Sequence, residues 1–345
     1  MRNVTWGGRS AIAVAATVLG FAVAGRISNP AQAASDLHRL PMHLVDTGAF
    51  DAANRPFAPQ YPLWSDGLGK QRSIYLPPGT SIDATDTYDW KYPVGTKFWK
   101  DFSLNGRKVE TRMLWKASAA GWIGATYVWN AEGTDATLAP EDGVPGAVEV
   151  APGKRHSIPS RNDCAACHGA KPLEPIGFNA LQLSDDRDPN ALHAEPLRPG
   201  MLTLKTMLDE QLITGLPADV VVHPPRIVTS DQQTRTVLGY LAANCAMCHN
   251  GRGDIAALAP KIRLRDLVED GDAVARSLIS HPTRWQVPSV RDGESVAVHP
   301  GQPALSAMLV RMRSRSPSSQ MPPLGTVVRD QQAVDAVTAW IASRK

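Results

Sequence analysis

Cys164-Ala165-Ala166-Cys167-His168 and Cys245-Ala246-Met247-Cys248-His249 are the two stretches from which the rest of the chain is read. They bound a span of 86 residues and use all four cysteines of the 345-residue protein. A Cys-x-x-Cys-His pentapeptide places two thiols where they can add to the vinyl groups of a haem and holds the next imidazole beneath the iron as proximal ligand. A four-cysteine zinc site fits less well, because 77 residues separate the pairs and both histidines would be left unexplained. Thioredoxin-like redox motifs would not require histidine in the fifth position. The pattern therefore predicts two covalently attached c-type haems on Cys164, Cys167, Cys245 and Cys248, with His168 and His249 as axial iron ligands.

Upstream, residues 1–33 have the three parts of a secretory signal. Arg2 and Arg9 precede an uncharged apolar run from Ala11 to Gly25, and Ala31-Gln32-Ala33 offers small residues at a cleavage site. The 15-residue run is short for a membrane span, so a cleaved signal and no integral span are expected. No cysteine follows it to carry a lipid, and no Arg-Arg pair suggests the twin-arginine route. A periplasmic location fits the haem reading, since c-type haem is attached outside the bacterial cytoplasm. Cleavage removes Arg2, Arg9 and Arg26 and no acid, which takes Lys+Arg from 36 to 33 against 33 Asp+Glu. Four haem propionates would make that neutral polypeptide mildly acidic, which argues against nucleic acid as a partner.

The patterning predicts an α+β chain. Residues 34–59 read as an extended leader and residues 60–160 as a β-rich module, an antiparallel sandwich or barrel. Within the module, Phe98–Leu104 and Lys108–Trp115 flank Asn105-Gly106, a pair that favours a type I′ hairpin turn. Six of the nine tryptophans lie there, as core area rather than a sugar platform. Asp66, Asp86, Asp89 and Asp135 are scattered without a metal-ligand spacing and read as turn formers. Residues 161–234 form a first haem region, whose helix can begin at Cys164 but cannot run into it through Pro159. Residues 235–345 form a second haem domain of class I cytochrome c type, mostly α-helical, entered by an amphipathic helix from Arg235 to Cys245.

Met321 stands in Ser318-Ser319-Gln320-Met321-Pro322-Pro323-Leu324-Gly325, a proline-stiffened loop 72 residues after His249. That position, just before a closing helix over 330–343, makes it the expected sixth ligand of the second iron. Met308 and Met312, four apart on one helix, read as core.

The two pentapeptides, Tyr61-Pro62-Leu63-Trp64-Ser65-Asp66-Gly67, Pro93-Val94-Gly95-Thr96-Lys97 and Met321-Pro322-Pro323-Leu324 together resemble a family of exported bacterial dihaem c-type cytochromes with a β-rich N-terminal region. The resemblance spans nearly the whole mature chain. It implies haem binding and electron transfer, with His168 and His249 as proximal ligands and Met321 as the distal ligand of the second haem. For the first haem, His193 and then Met201 are the candidate sixth ligands. Three functional classes stay open: an electron carrier serving redox partner proteins in the periplasm, a peroxidase-like haem enzyme with a reactive first iron, and a cytochrome whose β module docks a partner.

Overall fold

Asn105 and Gly106 both adopt positive φ, 50° and 80°, as a type I′ turn requires, and the hairpin they close is the centre of a large antiparallel sheet. The computed structural model describes residues 40–345 apart from 120, 169–174, 253–256 and 258–259, so the expected signal segment lies outside the described residues. In chain order, β1 (Arg55–Pro56), β2 (Gly69–Tyr75), β3 (Ile82–Asp83), β4 (Lys97–Leu104), β5 (Arg107–Ser118), β6 (Gly121–Trp129), β7 (Ala136–Leu138), β8 (Val144–Ala151) and β9 (Lys154–Ile158) come first. They are followed by α1 (Arg161–His168), α2 (Ala180–Leu183), α3 (Leu204–Asp209), β10 (Ile213–Thr214), α4 (Ala218–Val222), α5 (Gln232–Asn244), α6 (Leu264–Leu278), α7 (Ala307–Arg313) and α8 (Gln331–Ala342). The protein is α+β.

The module differs from the expected sandwich or barrel. Six strands form one open sheet in the order β1-β2-β4-β5-β6-β7, with β8 and β9 as a separate two-stranded ribbon. No second sheet is needed, because other elements cover both faces. On one face Leu40 and Leu44 pack with Trp99, Met113 and Tyr127, so the stretch expected to be a leader lies against the sheet and contributes β1 to its edge. On the other, Phe178, Leu183, Leu204 and Met207 pack with Ile74, Phe98 and Leu114. The short parallel pair β3–β10 also ties the module to the chain beyond the first pentapeptide. Trp90, Trp99 and Trp129 are buried.

Downstream, α5 begins three residues earlier than its apolar pattern suggests, because Asp231 caps it by accepting from the backbone N–H of Thr234 at 2.7 Å. Its buried Val237, Leu238 and Leu241 meet Leu267 and Leu278 of α6 and Val337, Trp340 and Ile341 of α8. Each such side chain contributes about 1.5–3 kcal/mol by leaving water. The segment leading into the helix of Met308 and Met312 is a separate piece, a 3₁₀ turn at Pro303–Leu305 that precedes α7. Ser306 separates the two by turning its hydroxyl back on the Gln302 carbonyl at 3.0 Å. Gly239 on α5 has no side chain because Tyr61 lies on it: a Cβ there would stand 2.2 Å from the tyrosine ring.

Candidate cofactor site

Helix α1 starts immediately after Pro159 and carries the first pentapeptide. Ser160 and Asp163 cap it reciprocally: the Asp163 N–H donates to the Ser160 hydroxyl at 3.1 Å, and the Ser160 N–H donates to the Asp163 carboxylate at 2.9 Å. The 3.6-residue period then sets Cys164, Cys167 and His168 on one side of the helix. Cys164 lies against Gly124, Ala125 and Thr126 of β6. Burial raises both thiols above the ordinary cysteine value, opposed first by the Arg112 guanidinium, and for Cys167 also by Lys100. Thiols held protonated are poor thiolate ligands and suit conversion to neutral thioethers.

Helix α5 runs into the second pentapeptide, and the turn continues as the N–H groups of Cys248 and His249 both donate to the Cys245 carbonyl, at 3.1 and 2.9 Å. Burial pushes the Cys245 thiol up to about 12, with Cys248 adding to it. Nδ1 of His249 lies 3.1 Å from the Pro260 carbonyl. A carbonyl can only accept, so Nδ1 carries the proton and the Nε2 lone pair points away as a ligand. Burial keeps this imidazole below its ordinary pKa, with the Arg311 cation acting the same way against the Pro260 hydrogen bond. Burial, and after it the neighbourhood of Cys167, raises the Cys248 thiol above the ordinary cysteine value.

Arg311 also organises the Met321 loop. Its carbonyl accepts the Met321 N–H at 3.1 Å and its Nε donates to the Ser319 carbonyl at 3.1 Å, so one residue reaches both His249 and the loop. Met321 is half-buried, whereas Met312 is buried in the helical core and Met308 packs at its margin. The far end of the loop is held by the module. The Asp66 carboxylate accepts the N–H groups of Val327 and Val328 at 2.7 and 2.8 Å, and Trp64 Nε1 donates to the Val328 carbonyl at 3.3 Å. The Tyr61–Gly67 stretch is thus a clasp across the two halves of the molecule, with the Trp64 N–H also donating to Asn244 beside Cys245 at 2.8 Å.

His193 and Met201 are placed apart from one another. His193 has φ 58°, lies 4.9 Å from the Trp64 ring, and directs Nε2 at both oxygens of Asp330, at 3.0 and 2.9 Å. Asp330 in turn caps α8. His193 lines a cleft of about 430 Å³ with Trp64, Leu68, Lys70 and Glu195, and among the described residues its Nδ1 has no hydrogen-bond partner. Met201 closes a turn in which its sulfur accepts the Arg198 N–H at 3.4 Å.

A group of buried charges was not singled out from the sequence. On the sheet face toward α1, Arg72, Lys100 and Arg112 stand directly opposite one another on β2, β4 and β5. Arg112 donates to Glu110 at 2.5 Å, and Nε2 of His156 approaches the same oxygen at 3.3 Å. Nδ1 of His156 lies 2.8 Å from Asp66. Burial works against the His156 imidazolium, but hydrogen bonds to Asp66 and Glu110 outweigh it and raise its pKa above the ordinary value. Burial would raise Glu110, but Arg112 and His156 hold it below the usual carboxylate range.

The residues present fit a haem. The thiols are unpaired and protonated, His249 offers Nε2, and buried Nη2 of Arg72 and Nε of Arg112 have no hydrogen-bond partner. Among the described residues no cluster of three or more His, Cys, Asp or Glu is arranged to hold a bare metal ion, and no helix is long and apolar enough to cross a membrane. Comparison of the chain with protein-family models, curated proteins and solved structures gave no match.

Proposed function

We propose that the chain is an exported dihaem c-type cytochrome whose two haem sites pass electrons between a periplasmic oxidoreductase and an acceptor. The observation that carries this reading is the pair of Cys-x-x-Cys-His turns, each carried by its own helix end, with Nδ1 of His249 3.1 Å from the Pro260 carbonyl so that Nε2 is left for a ligand. Haem iron, when bound, supplies one-electron exchange. The chain's own residues hold the attachment thiols protonated until they react, orient His249 through Pro260, and fix the Met321 loop between Arg311 and Asp66. The C-terminal region then corresponds to a class I cytochrome c domain with Met321 as distal ligand. The test is intact mass with haem-stained denaturing gels of protein made in a host that attaches c-type haem. A mass increment of two haems is expected, and one or none refutes the reading.

A second reading has a specific support. Asp330 engages Nε2 of His193, the nitrogen by which that ring would usually bind an iron. A peroxidase-like enzyme, with His168 below the iron and an open site above, follows from that arrangement. Carbon monoxide binding by the reduced protein separates the two. Partner docking by the β module is the third class.

A further inference from the structure

Three cations in direct cross-strand register are an arrangement that sheets avoid, since like charges directly opposite are destabilising. Here Arg72, Lys100 and Arg112 are such a row, and Lys70 lies two residues from Arg72 on the same face. Against these four cations, two carboxylates among the described residues stand at bonding distance. Glu195 is 2.6 Å from Arg72, and Glu110 is 2.5 Å from Arg112. Two positive charges are left over. Among the described residues Lys100, at the centre, has no ion pair and has the Phe102 ring 4.9 Å away, and Lys70 donates to the Leu63 carbonyl. The Arg72 side chain is 7% exposed, yet its Nη2 has no partner. A guanidinium that well buried with an unmet donor points to an acceptor that belongs beside it.

We propose that this row is a carboxylate clamp for the two propionates of the haem attached at Cys164 and Cys167. The inference rests on the dihaem reading and says which protein groups meet the acidic edge of the first haem. Position along the row fits the shape of the macrocycle, whose thioether edge and propionate edge are opposite one another. The charges acting on Cys167 are led by Arg112 and include Lys100. The row continues away from the thiols by one more strand, to Arg72, so it spans about 10 Å at two strand spacings. A haem tethered over Arg112 therefore extends its carboxylates toward Lys100, Arg72 and Lys70. Two propionates supply the two missing negative charges. They also reverse the situation of Lys100, which burial and the cations Arg72, Lys70 and Arg112 otherwise hold well below the usual lysine range. Charge-assisted bonds of this type are the strong ones, and Arg72 offers its unmet Nη2 donor beside the one that Glu195 takes.

The experiment is redox titration of the holoprotein as wild type, Lys100→Gln, Lys100→Arg and Arg72→Gln, with haem content measured by intact mass on each sample. Removing a cation near the propionates stabilises ferric over ferrous iron. The lower of the resolved potentials, or whichever belongs to the first haem by its loss in Cys164→Ala/Cys167→Ala, should fall in Lys100→Gln and Arg72→Gln. It should return in Lys100→Arg, while the other haem is unmoved. Two haems with unchanged potentials in both Gln variants overturn the clamp. Absence of covalent haem in wild type overturns the dihaem reading instead. A free organic anion filling the same row would make the wild-type potential depend on added acetate or phosphate, and that dependence also overturns the proposal. Arg72→Gln leaves Glu195 without its partner and can impair folding. The resonance Raman propionate-bending band of wild type therefore gives an independent measure, expected in its hydrogen-bonded position and overturning the clamp if it is that of free propionate.

Discussion

Asp66 and His156 are joined by a 2.8 Å hydrogen bond in which both side chains are almost wholly out of water, 1% and 2% exposed. The other oxygen of Asp66 accepts the Val327 and Val328 N–H groups, so one carboxylate ties β9 of the module to the loop that carries Met321. From His156 the bonding continues to Glu110 and Arg112, beneath the first pentapeptide.

Removing that carboxylate leaves Nδ1 of the buried His156 and two half-buried amides without their acceptor. Asp66→Ala should cost about 3–5 kcal/mol in urea unfolding, while Asp66→Asn, which keeps an acceptor for the amides, should cost less. Equal losses for the two would show that the Val327 and Val328 contacts carry none of the effect.

The same pair makes stability depend on pH in a definite direction. His156 has a folded pKa raised above 6.5, so its contribution is complete below pH 6.5 and is lost as pH rises through the folded value. Glu110 is lowered from 4.5, so its contribution is present above pH 4.5 and is lost as pH falls through its folded value. The stability gap between wild type and His156→Gln should therefore be widest between these two ordinary values and narrow on the alkaline side. A gap that widens above pH 7 would contradict the assignment.

Met321→Ala should abolish the near-infrared Met-to-ferric-iron band and lower the potential of the second haem, since the thioether favours ferrous iron. Met312→Ala should leave the band in place and cost about 2–5 kcal/mol of stability as a core truncation. Exchange of these two outcomes would move the ligand to α7.

Reduced wild type should bind no carbon monoxide if the protein is purely a carrier. Should His193 reach the first iron through Nδ1, His193→Ala would gain stoichiometric binding, and Asp330→Asn, which leaves the ring in place, would not. Binding by wild type would instead favour the open, peroxidase-like site.

What the sequence makes legible is local. The Asn105-Gly106 turn, the start of α1 after Pro159 and the helix leading into Cys245 all follow from neighbours a few residues apart. Asp66 was read as a turn residue, and its φ of 53° bears that out, but its partners are residues 156, 327 and 328. Arg72, Lys100 and Arg112 become a row only once the register of β2, β4 and β5 is set, and no spacing along the chain discloses that register. The open sheet was missed for a related reason: alternating strands show that a face is buried, without showing whether a second sheet or helices cover it.

The position of the Asp66 clasp in the chain also sets an order of assembly. All six strands of the large sheet, and the cations on it, precede Cys164, so the surface facing the first pentapeptide can be complete when those cysteines emerge from a chain delivered N-terminus first. The loop with Met321 is different, because one of its anchors is residue 66 and the other is Arg311. Both cysteine pairs are therefore presented while Asp66 still waits for Val327 and Val328. On the proposed dihaem reading, haem attachment would have its interval before that clasp closes.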